Sequence, residues 1–173
     1  MEKEIIIITG GANGLGLELV KQSIEKGLFV CNIDRDCEKV DNLNNTYKDN
    51  YRGFIGDISD EEFVKNSIKE ISALGDIKVL INNAGIDKIQ LVTEVTKKDW
   101  DEIINTNLYG TFYISQQAAK NMIQNKQGKI INISSIWGQI GASMEVVYSI
   151  SKAGVDGLTK ALAKELGPSG IQV

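Results

Sequence analysis

Short apolar runs alternate with longer stretches of helical periodicity along the chain. Residues 5–8, 29–33, 51–55, 79–82 and 129–133 each have the length and composition of a buried strand, and residues 171–173 resemble the start of a sixth. Strands separated by helix-length crossovers predict an α/β fold, a doubly wound parallel sheet with helices on both faces. In such a sheet ligands bind at the carboxyl ends of the strands.

The stretches between these runs carry helix signals. A helix is predicted from about residue 14 to residue 26, and another after a capping box that begins at Ser59. Thr96 is predicted to cap a long helical stretch that runs toward Asn125. A last helix covers about residues 147–166, and Pro168 stops it.

Composition narrows the function classes. With 173 residues and 42% hydrophobic content, the whole chain, residues 1–173, is predicted to form a single domain. A net charge of -4 without long charged runs favours neither nucleic acid nor a membrane as a partner. The absence of His disfavours Ser-His-Asp hydrolases and most zinc chemistry, so no metal site is expected. Cys31 and Cys37 lack metal-ligand spacing and suit a reducing cytoplasm.

A glycine-rich turn follows the first strand directly. Such a turn lets the backbone approach a pyrophosphate, which the amide groups at the helix N-terminus then hold. A purely structural turn is the alternative, because many loops contain three glycines. The positions predicted to bind a dinucleotide are Gly10, Asn13, Gly14, Leu15 and Gly16.

An acidic residue ends the second strand. Asp34 lies 18 residues beyond Gly16, where a carboxylate can accept hydrogen bonds from both adenosine ribose hydroxyls and repel a 2′-phosphate. NAD(H) is therefore favoured. NADP(H) remains possible because the guanidinium of Arg35 could pair with that phosphate. A merely solvated acidic loop is the alternative.

A tyrosine and a lysine share one face of the last predicted helix. Tyr148 and Lys152 are four residues apart, and an ammonium close to a phenol favours the phenolate that proton transfer requires. Tyr and Lys often occur at this spacing by chance. Here the pair follows a strand that leads into Ser134 and Ser135, in a chain that already carries a dinucleotide-type turn.

Along nearly its whole length the sequence resembles the short-chain dehydrogenase/reductase family, whose NAD(P)-binding domain is a Rossmann fold. The glycine turn is similar to the cofactor motif of the family, and Asn82-Asn83-Ala84-Gly85 to its sheet-stabilising motif. Ser135, thirteen residues before Tyr148, and the Tyr148-x-x-x-Lys152 pair match the catalytic signature.

The resemblance implies a role for each residue. Ser135 would bind the substrate carbonyl, and Tyr148 would give or take its proton. Lys152 would hold the nicotinamide ribose, and Asn107 would fix a water that relays protons through Lys152. Ser134 rivals Ser135, although its spacing to Tyr148 differs by one residue. The further positions implied to bind cofactor, besides Tyr148 and Lys152, are Asp57, Ile58 and Asn83.

The substrate is open at this level. The chain is most similar to 3-oxoacyl-(acyl-carrier-protein) reductases, although its acidic composition shows no basic docking patch for a carrier protein. The segment from residue 133 to 146 also resembles reductases of 5-aminopentanone-modified elongation factor P. Trp137, Met144 and Glu145 fall where substrate would lie. A catalytically silent dinucleotide-binding redox sensor is the alternative from another class.

Two expectations concern the whole protein. Family members continue with a sixth strand, a substrate lid and a seventh strand, whereas this sequence stops at Val173. We therefore expect residues 1–173 alone to be inactive or poorly soluble. Ala153, Gly157 and Ala161 form a small-residue stripe on the last helix, which could pack on its own sheet. The resemblance instead implies a homodimer or homotetramer through the last two long helices.

Overall fold

The computed structural model describes residues 3–173, and its centre is a parallel six-stranded sheet with the strand order β3-β2-β1-β4-β5-β6. Neighbouring strands pair in parallel throughout. The strands are β1 (Lys3–Thr9), β2 (Phe29–Asp34), β3 (Tyr51–Ile55), β4 (Gly75–Asn82), β5 (Gly128–Asn132) and β6 (Ile171–Gln172).

Helices connect the strands and cover both faces of the sheet. They are α1 (Gly14–Glu25), α2 (Cys37–Thr46), α3 (Glu61–Leu74), α4 (Lys97–Ile104), α5 (Thr111–Asn125), α6 (Trp137–Ile140) and α7 (Val146–Leu166). One π-helical turn, Asn105–Gly110, joins α4 to α5. Single 3-10 turns occupy Val92–Glu94 and Gly167–Ser169.

The central strand β1 feeds two cores. Ile5 and Ile7 belong to the larger one, which includes residues of α3 and α5, while Ile6 and Ile8 belong to the smaller one with Val20 of α1. Successive side chains of a strand point to opposite faces, so a strand covered on both faces is apolar without alternation. The strand order reverses between β1 and β4, because β2 and β3 lie on one side of β1 and β4 to β6 lie on the other. In a doubly wound sheet this switch point places the ligand crevice at the carboxyl ends of β1 and β4.

The predicted doubly wound sheet is confirmed, and the differences lie at element ends. β4 begins at Gly75, four residues before the predicted start, because Lys3 pairs with Gly75 in the lengthened ladder with β1. The predicted long helix after Thr96 is interrupted by the π-helical turn. The Thr96 cap itself is confirmed, since its hydroxyl accepts a hydrogen bond from the Asp99 amide.

The predicted capping box at Ser59 is wrong. Asp60 is the N-cap of α3, and its carboxylate accepts a hydrogen bond from the Phe63 amide. The Ser59 hydroxyl instead donates to Asp57. Neither α2 nor α6 was predicted, because Val40 and Leu43 are too sparse for an apolar stripe in α2 and α6 has only four residues.

Between Lys3 and Val173, no helix is both long enough and apolar enough to span a bilayer.

Candidate active site

A cavity of about 320 Å³ opens at the carboxyl ends of β1, β2 and β4. Nine of the positions predicted to bind cofactor line it, namely Gly10, Asn13, Gly14, Leu15, Gly16, Asp34, Asp57, Ile58 and Asn83. Its wall also includes Ile33, Arg35, Gly56, Ala84, Gly85, Ile86 and Thr106. Tyr148 and Lys152 do not line this cavity.

The glycine turn has the shape of a phosphate cradle. Gly10 has a φ of +68°, and a Cβ there would lie 2.9 Å from the Cα of Ala84. A Cβ on Gly16 would lie 2.1 Å from the carbonyl oxygen of Gly10. The turn can therefore approach both Ala84 and the start of α1 only because Gly10 and Gly16 lack side chains. This close approach fits the backbone path that a pyrophosphate requires.

Helix α1 offers free donors to this cavity. The first intrahelical bond runs from the Leu17 amide to the Asn13 carbonyl at 3.0 Å, so the amides of Gly14, Leu15 and Gly16 precede the hydrogen-bonded part of the helix. Among residues 3–173, no side chain caps this end. These three amide groups and the helix dipole together favour a phosphate.

Strand β2 holds the glycine turn by accepting hydrogen bonds from three consecutive backbone amides of that turn. The Gly10 amide donates to the Ile33 carbonyl at 2.8 Å, and the Gly11 amide to the Asn32 Oδ1 at 2.8 Å. The Ala12 amide donates to the Asp34 Oδ2 at 2.9 Å. The same Asp34 carboxylate accepts from the Asp36 amide through Oδ1 at 3.1 Å. Each carboxylate oxygen of Asp34 keeps one further lone pair that can accept a hydrogen bond from a hydroxyl group.

Arg35 and Asp57 form an ion pair on the cavity wall. The Arg35 Nη1 lies 3.2 Å from the Asp57 Oδ2. The other Asp57 oxygen accepts from the Ser59 amide and hydroxyl, both at 2.8 Å. Burial favours the neutral form of Asp57, but the Ser59 hydrogen bonds and the Arg35 charge outweigh it and lower the pKa of this carboxyl. Arg35 is thereby drawn to a carboxylate rather than left free for a phosphate.

The Asn82-Asn83-Ala84-Gly85 segment ties the strand ends together. The Asn83 side chain donates to the carbonyl oxygens of Thr9 and Gly10 at 3.0 and 3.1 Å. Buried Asn82 donates to the Asn132 Oδ1 of β5 at 2.7 Å. The segment therefore bonds the end of β4 to both neighbouring strands, as expected of a sheet-stabilising motif.

Asn107 lies buried in the π-helical turn. Its Oδ1 accepts from the Ile86 amide at 2.8 Å, and its Nδ2 donates to the Ile86 carbonyl at 2.8 Å and to the Ser151 hydroxyl at 3.1 Å. Both amide hydrogens of Asn107 are thus engaged. Its side chain joins the segment after β4 to helix α7, and a water could be held only through its acceptor oxygen. Single π turns of this kind frequently mark functional sites.

Lys152 is almost fully buried beside Tyr148. Its Nζ lies 5.6 Å from the centre of the Tyr148 ring and donates to the Ile133 carbonyl at 2.8 Å. Burial lowers the pKa of Lys152, an effect that the carboxylate of Asp156 partly offsets. A Cβ on Gly85 would lie 3.5 Å from this ammonium and 3.4 Å from the Asn107 Oδ1. Gly85 thus separates the cofactor cavity from both polar groups.

The two candidate serines occupy different surroundings. The Ser134 hydroxyl donates to the Lys152 carbonyl at 3.3 Å, so it is turned toward the backbone of α7. The Ser135 Oγ accepts from the Trp137 amide at 3.2 Å and keeps its hydrogen available as a donor. This difference favours Ser135 over Ser134 for contact with a carbonyl oxygen.

The loop after β4 and the segment before α7 meet close to Tyr148. The Gln90 amide of the loop after β4 donates to the Met144 carbonyl at 2.8 Å, and Met144 has a left-handed φ of +64°. Partial burial and the neighbouring Asp87 carboxyl raise the pKa of Glu145. Met144 and Trp137 are 43% and 36% exposed, so both are available to a substrate.

The sequence matches the short chain dehydrogenase family over residues 4–173. The chain belongs to this family of NAD(P)-dependent oxidoreductases. The identification agrees with the order of the glycine turn, the Asn82-Asn83-Ala84-Gly85 segment and the Tyr148/Lys152 pair along the chain.

Named relatives extend over the whole chain. It is 37% identical to a (2S)-[(R)-hydroxy(phenyl)methyl]succinyl-CoA dehydrogenase subunit of Thauera aromatica, covering 100% of the chain and 71% of the relative. It is 35% identical to a 3-oxoacyl-(acyl-carrier-protein) reductase of Buchnera aphidicola, again covering 100% and 71%. A solved short-chain dehydrogenase from Streptomyces avermitilis superimposes with a TM-score of 0.93 at 26% identity, covering 99% of this chain and 63% of that one.

Sequence reasoning missed the residues that position the site without belonging to a motif. Asn32 was unremarkable inside an apolar strand, yet it holds the Gly11 amide and donates to the Tyr51 hydroxyl at 2.9 Å. Ile86 binds Asn107 through its backbone, which no sequence pattern reports. A polar residue in the middle of a buried strand was the one available signal, because buried polar groups need partners.

Proposed function

We propose that the protein transfers a hydride between NAD(H) and a ketone or secondary alcohol, with Tyr148 as the proton donor and acceptor. The observation that carries this proposal is the buried Lys152 ammonium, 5.6 Å from the Tyr148 ring and next to Gly85 of the cofactor cavity. A buried cation beside a phenol and at the edge of a dinucleotide-shaped cavity serves proton transfer better than it serves stability.

The residues present fit a nicotinamide dinucleotide, which supplies or accepts the hydride when bound. The turn between Gly10 and Gly16 and the free amides of α1 would hold its phosphates. Asp34 would accept from the adenosine ribose, and Asp57 and Ile58 would border the adenine. We propose NAD(H) rather than NADP(H), because Asp34 is fixed by two amides where its charge would repel a 2′-phosphate, and Arg35 is paired with Asp57.

Four residues divide the remaining work. Ser135 donates a hydrogen bond to the carbonyl oxygen, and Tyr148 gives its proton to that oxygen during reduction. Lys152 would stabilise the phenolate that remains and would hold the nicotinamide ribose. Asn107 holds Ile86 and Ser151 in register, so that a water on its acceptor side could return a proton through Lys152.

We infer an acyl thioester as the substrate class. The relatives from Thauera aromatica and Buchnera aphidicola are named for a CoA ester and a carrier-protein ester. The segments that flank Ser135 and precede Tyr148 expose large apolar side chains, with Ile136 at 56% and Ile140 at 70%. An apolar acyl chain would cover such side chains.

The proposal is tested by NADH and NADPH consumption with short 3-oxoacyl thioesters and simple ketones, alongside binding of each cofactor alone. We expect turnover with a thioester and a preference for NADH. The complete reading frame is assayed beside residues 1–173. Tight cofactor binding without turnover in both polypeptides would contradict the proposal and support the silent redox sensor.

An amine-bearing substrate is a second candidate, favoured by one observation. Burial and the nearby carboxylate of Asp87 raise the pKa of Glu145. A substrate ammonium placed between the two carboxylates would relieve their repulsion. An aminoketone reduced at least tenfold more slowly by a Glu145→Gln variant, with thioester turnover unchanged, would favour this reading.

We also propose a homodimer or homotetramer through α5 and α7. Ala153, Gly157 and Ala161 are exposed, so the small-residue stripe does not pack on its own sheet. Open space surrounds Gly157, where a partner helix could approach closely. Light scattering on the complete protein tests this, and a monomer at micromolar concentration would contradict it.

A further inference from the structure

The loop after β4 is held by polar contacts with three different elements. We call residues 86–91 the bridging loop. Ile86 is bonded to Asn107 of the π turn, and the Gln90 amide to Met144 before α7. Between these points, the Lys88 ammonium pairs with the carboxylate of Asp99 in α4. The loop thus spans the space between the two elements that bear Asn107 and Tyr148.

The bridging loop has little apolar anchorage of its own. Ile89 is 68% exposed and Leu91 is 51% exposed, so their side chains contribute little packing against the domain. A segment with few buried apolar contacts opens at low free energy unless other contacts hold it. The position of Ile86 therefore depends on the polar contacts on either side of it.

Asp99 is built to receive Lys88. Its side chain is only 9% exposed, and its Oδ2 accepts from the Thr96 amide at 3.1 Å and from the Thr96 hydroxyl at 2.6 Å. Its Oδ1 faces the Lys88 ammonium. Hydrogen bonds from Lys88 and Thr96 hold the pKa of Asp99 well below its usual range. This carboxylate is therefore charged, oriented by the α4 cap and nearly removed from water.

The consequence reaches the catalytic residues through Ile86. Ile86 lines the cofactor cavity and lies two residues before Lys88. The Ile86 amide donates to the Asn107 Oδ1, and the Ile86 carbonyl accepts from the Asn107 Nδ2. The side chains of Asn107 and Lys152 both lie close to Gly85. A shift of the loop would move this cavity wall and release the side chain of Asn107.

We propose that Lys88 and Asp99 act as positioning residues, forming a clamp that holds the bridging loop so that Ile86 fixes Asn107. Neither Lys88 nor Asp99 lines the cofactor cavity. The effect of the clamp on turnover rests on the proposed function, whereas its effect on the loop does not. We therefore test the two effects with separate measurements.

The first measurement is amide hydrogen exchange of Ile86 in Lys88→Met and Asp99→Asn variants. We expect exchange at least tenfold faster than in the parent, with amides of β1 unchanged. Lys97→Met is the matched control, because Lys97 pairs with Asp101 on the same helix at 2.6 Å and does not contact the loop through that pair. Parent-like exchange of Ile86 in both clamp variants would overturn the proposal.

The second measurement is turnover of the complete protein. We expect Lys88→Met to lower kcat about tenfold and to raise the Kd of NADH by a smaller factor, because Ile86 also borders the cofactor cavity, and Lys88→Arg to recover most of both losses. An unchanged kcat despite faster Ile86 exchange would overturn the link to catalysis. A parent protein without any turnover would refute the proposed function, while the exchange result still decides the clamp.

Discussion

The cofactor cavity and the region around Tyr148 and Lys152 are built in different ways. In the first, which we call the cofactor half, the turn from Gly10 to Gly16 is held by backbone amides bonded to β2. In the second, the catalytic half, buried side chains cross between distant elements. Asn107 bonds to a residue 44 positions away, and Asn82 to one 50 positions away.

This difference separates recognition from chemistry. A phosphate or ribose needs donors and acceptors that a backbone turn provides once its glycines permit the path. Proton transfer needs a buried cation held close to a phenol. Helix geometry sets the spacing of Tyr148 and Lys152, and the long-range bond from Lys152 to the Ile133 carbonyl holds the ammonium in place. Damage to one half should therefore leave the other measurably intact.

The largest expected effect on cofactor binding is in the glycine turn. Gly16→Val would place a Cβ 2.1 Å from the Gly10 carbonyl oxygen and 2.5 Å from the Asn83 Nδ2. We expect the Kd of NADH to rise by more than ~100-fold, because the phosphate cradle cannot close. Fluorescence titration measures this, with the melting temperature as a check on folding and Gly16→Ala as a milder variant.

Gly157→Ala is the control for that prediction. It lies on α7 in open space, and Ala in a helix interior is ~0.5–1 kcal/mol more stable than Gly. NADH binding should be unchanged in this variant. Normal NADH binding by a folded Gly16→Val variant would break the distinction between the halves.

The next effect is at Asp34. Asp34→Asn keeps an acceptor for the Ala12 amide but removes the charge that a ribose hydroxyl would meet. Charge-assisted hydrogen bonds contribute ~1.5–3 kcal/mol, so NADH should bind ~10- to 100-fold more weakly. NADPH should lose less, since the repulsion of its phosphate is removed. Asp36→Asn, at the N-cap of α2, is the control and should bind both cofactors normally.

A smaller effect, on stability alone, is expected in the catalytic half. The Asn132 amide joins Asn82 on β4 to Thr159 on α7, at 2.7 and 2.8 Å. Asn132→Ala leaves buried polar groups with fewer partners, which costs ~1–3 kcal/mol in the free energy of unfolding. Urea titration measures that cost. NADH affinity should be unchanged, and a matching loss of affinity would show that the halves are coupled.

The smallest effect concerns a thiol of the cofactor half. Burial raises the pKa of Cys31 from 9.0 to about 12. When folding raises the pKa of an acidic group, the contribution of that group to stability is fully present below its unfolded pKa. The contribution is lost as the pH rises toward the folded pKa. Between pH 8 and pH 10 the Cys31 contribution should therefore fall by ~1.4 kcal/mol. Urea unfolding of the parent and of Cys31→Ala at both pH values measures it.

Cys37 provides the comparison for that thiol. It is exposed at the start of α2, so Cys37→Ser should keep the full alkaline loss of stability. In the native parent a thiol reagent at pH 8 should modify Cys37 quickly and Cys31 only on unfolding. Fast modification of both would show that water reaches β2.

The cofactor half could be predicted from sequence almost entirely. Its signals are local in the sequence. Gly10 and Gly16 mark positions where the backbone leaves no room for a side chain, and Asp34 marks an acidic residue at a strand end. The cavity wall contains all three. What escaped prediction there was Asn32, whose bond to Gly11 joins residues 21 positions apart.

The catalytic half could be predicted only in its outline. The spacing of Tyr148 and Lys152 follows from helix geometry, and the structure places them together. The π turn around Asn107 and the bond from Ile86 could not be predicted, because tertiary contacts rather than local preference select them. The same applies to Lys88 and Asp99, which resemble any exposed charges in the sequence.

Tyr148→Phe, assayed for both binding and turnover, tests the central claim most directly. The substitution removes one hydroxyl from the catalytic half and leaves the cofactor half untouched. We predict that the complete protein loses at least ~1,000-fold in kcat, since the proposed proton donor is gone, while NADH binds with a Kd within twofold of the parent. Tyr47→Phe, in the half-buried position after α2, should change neither. Turnover by Tyr148→Phe at a rate close to that of the parent would contradict the account.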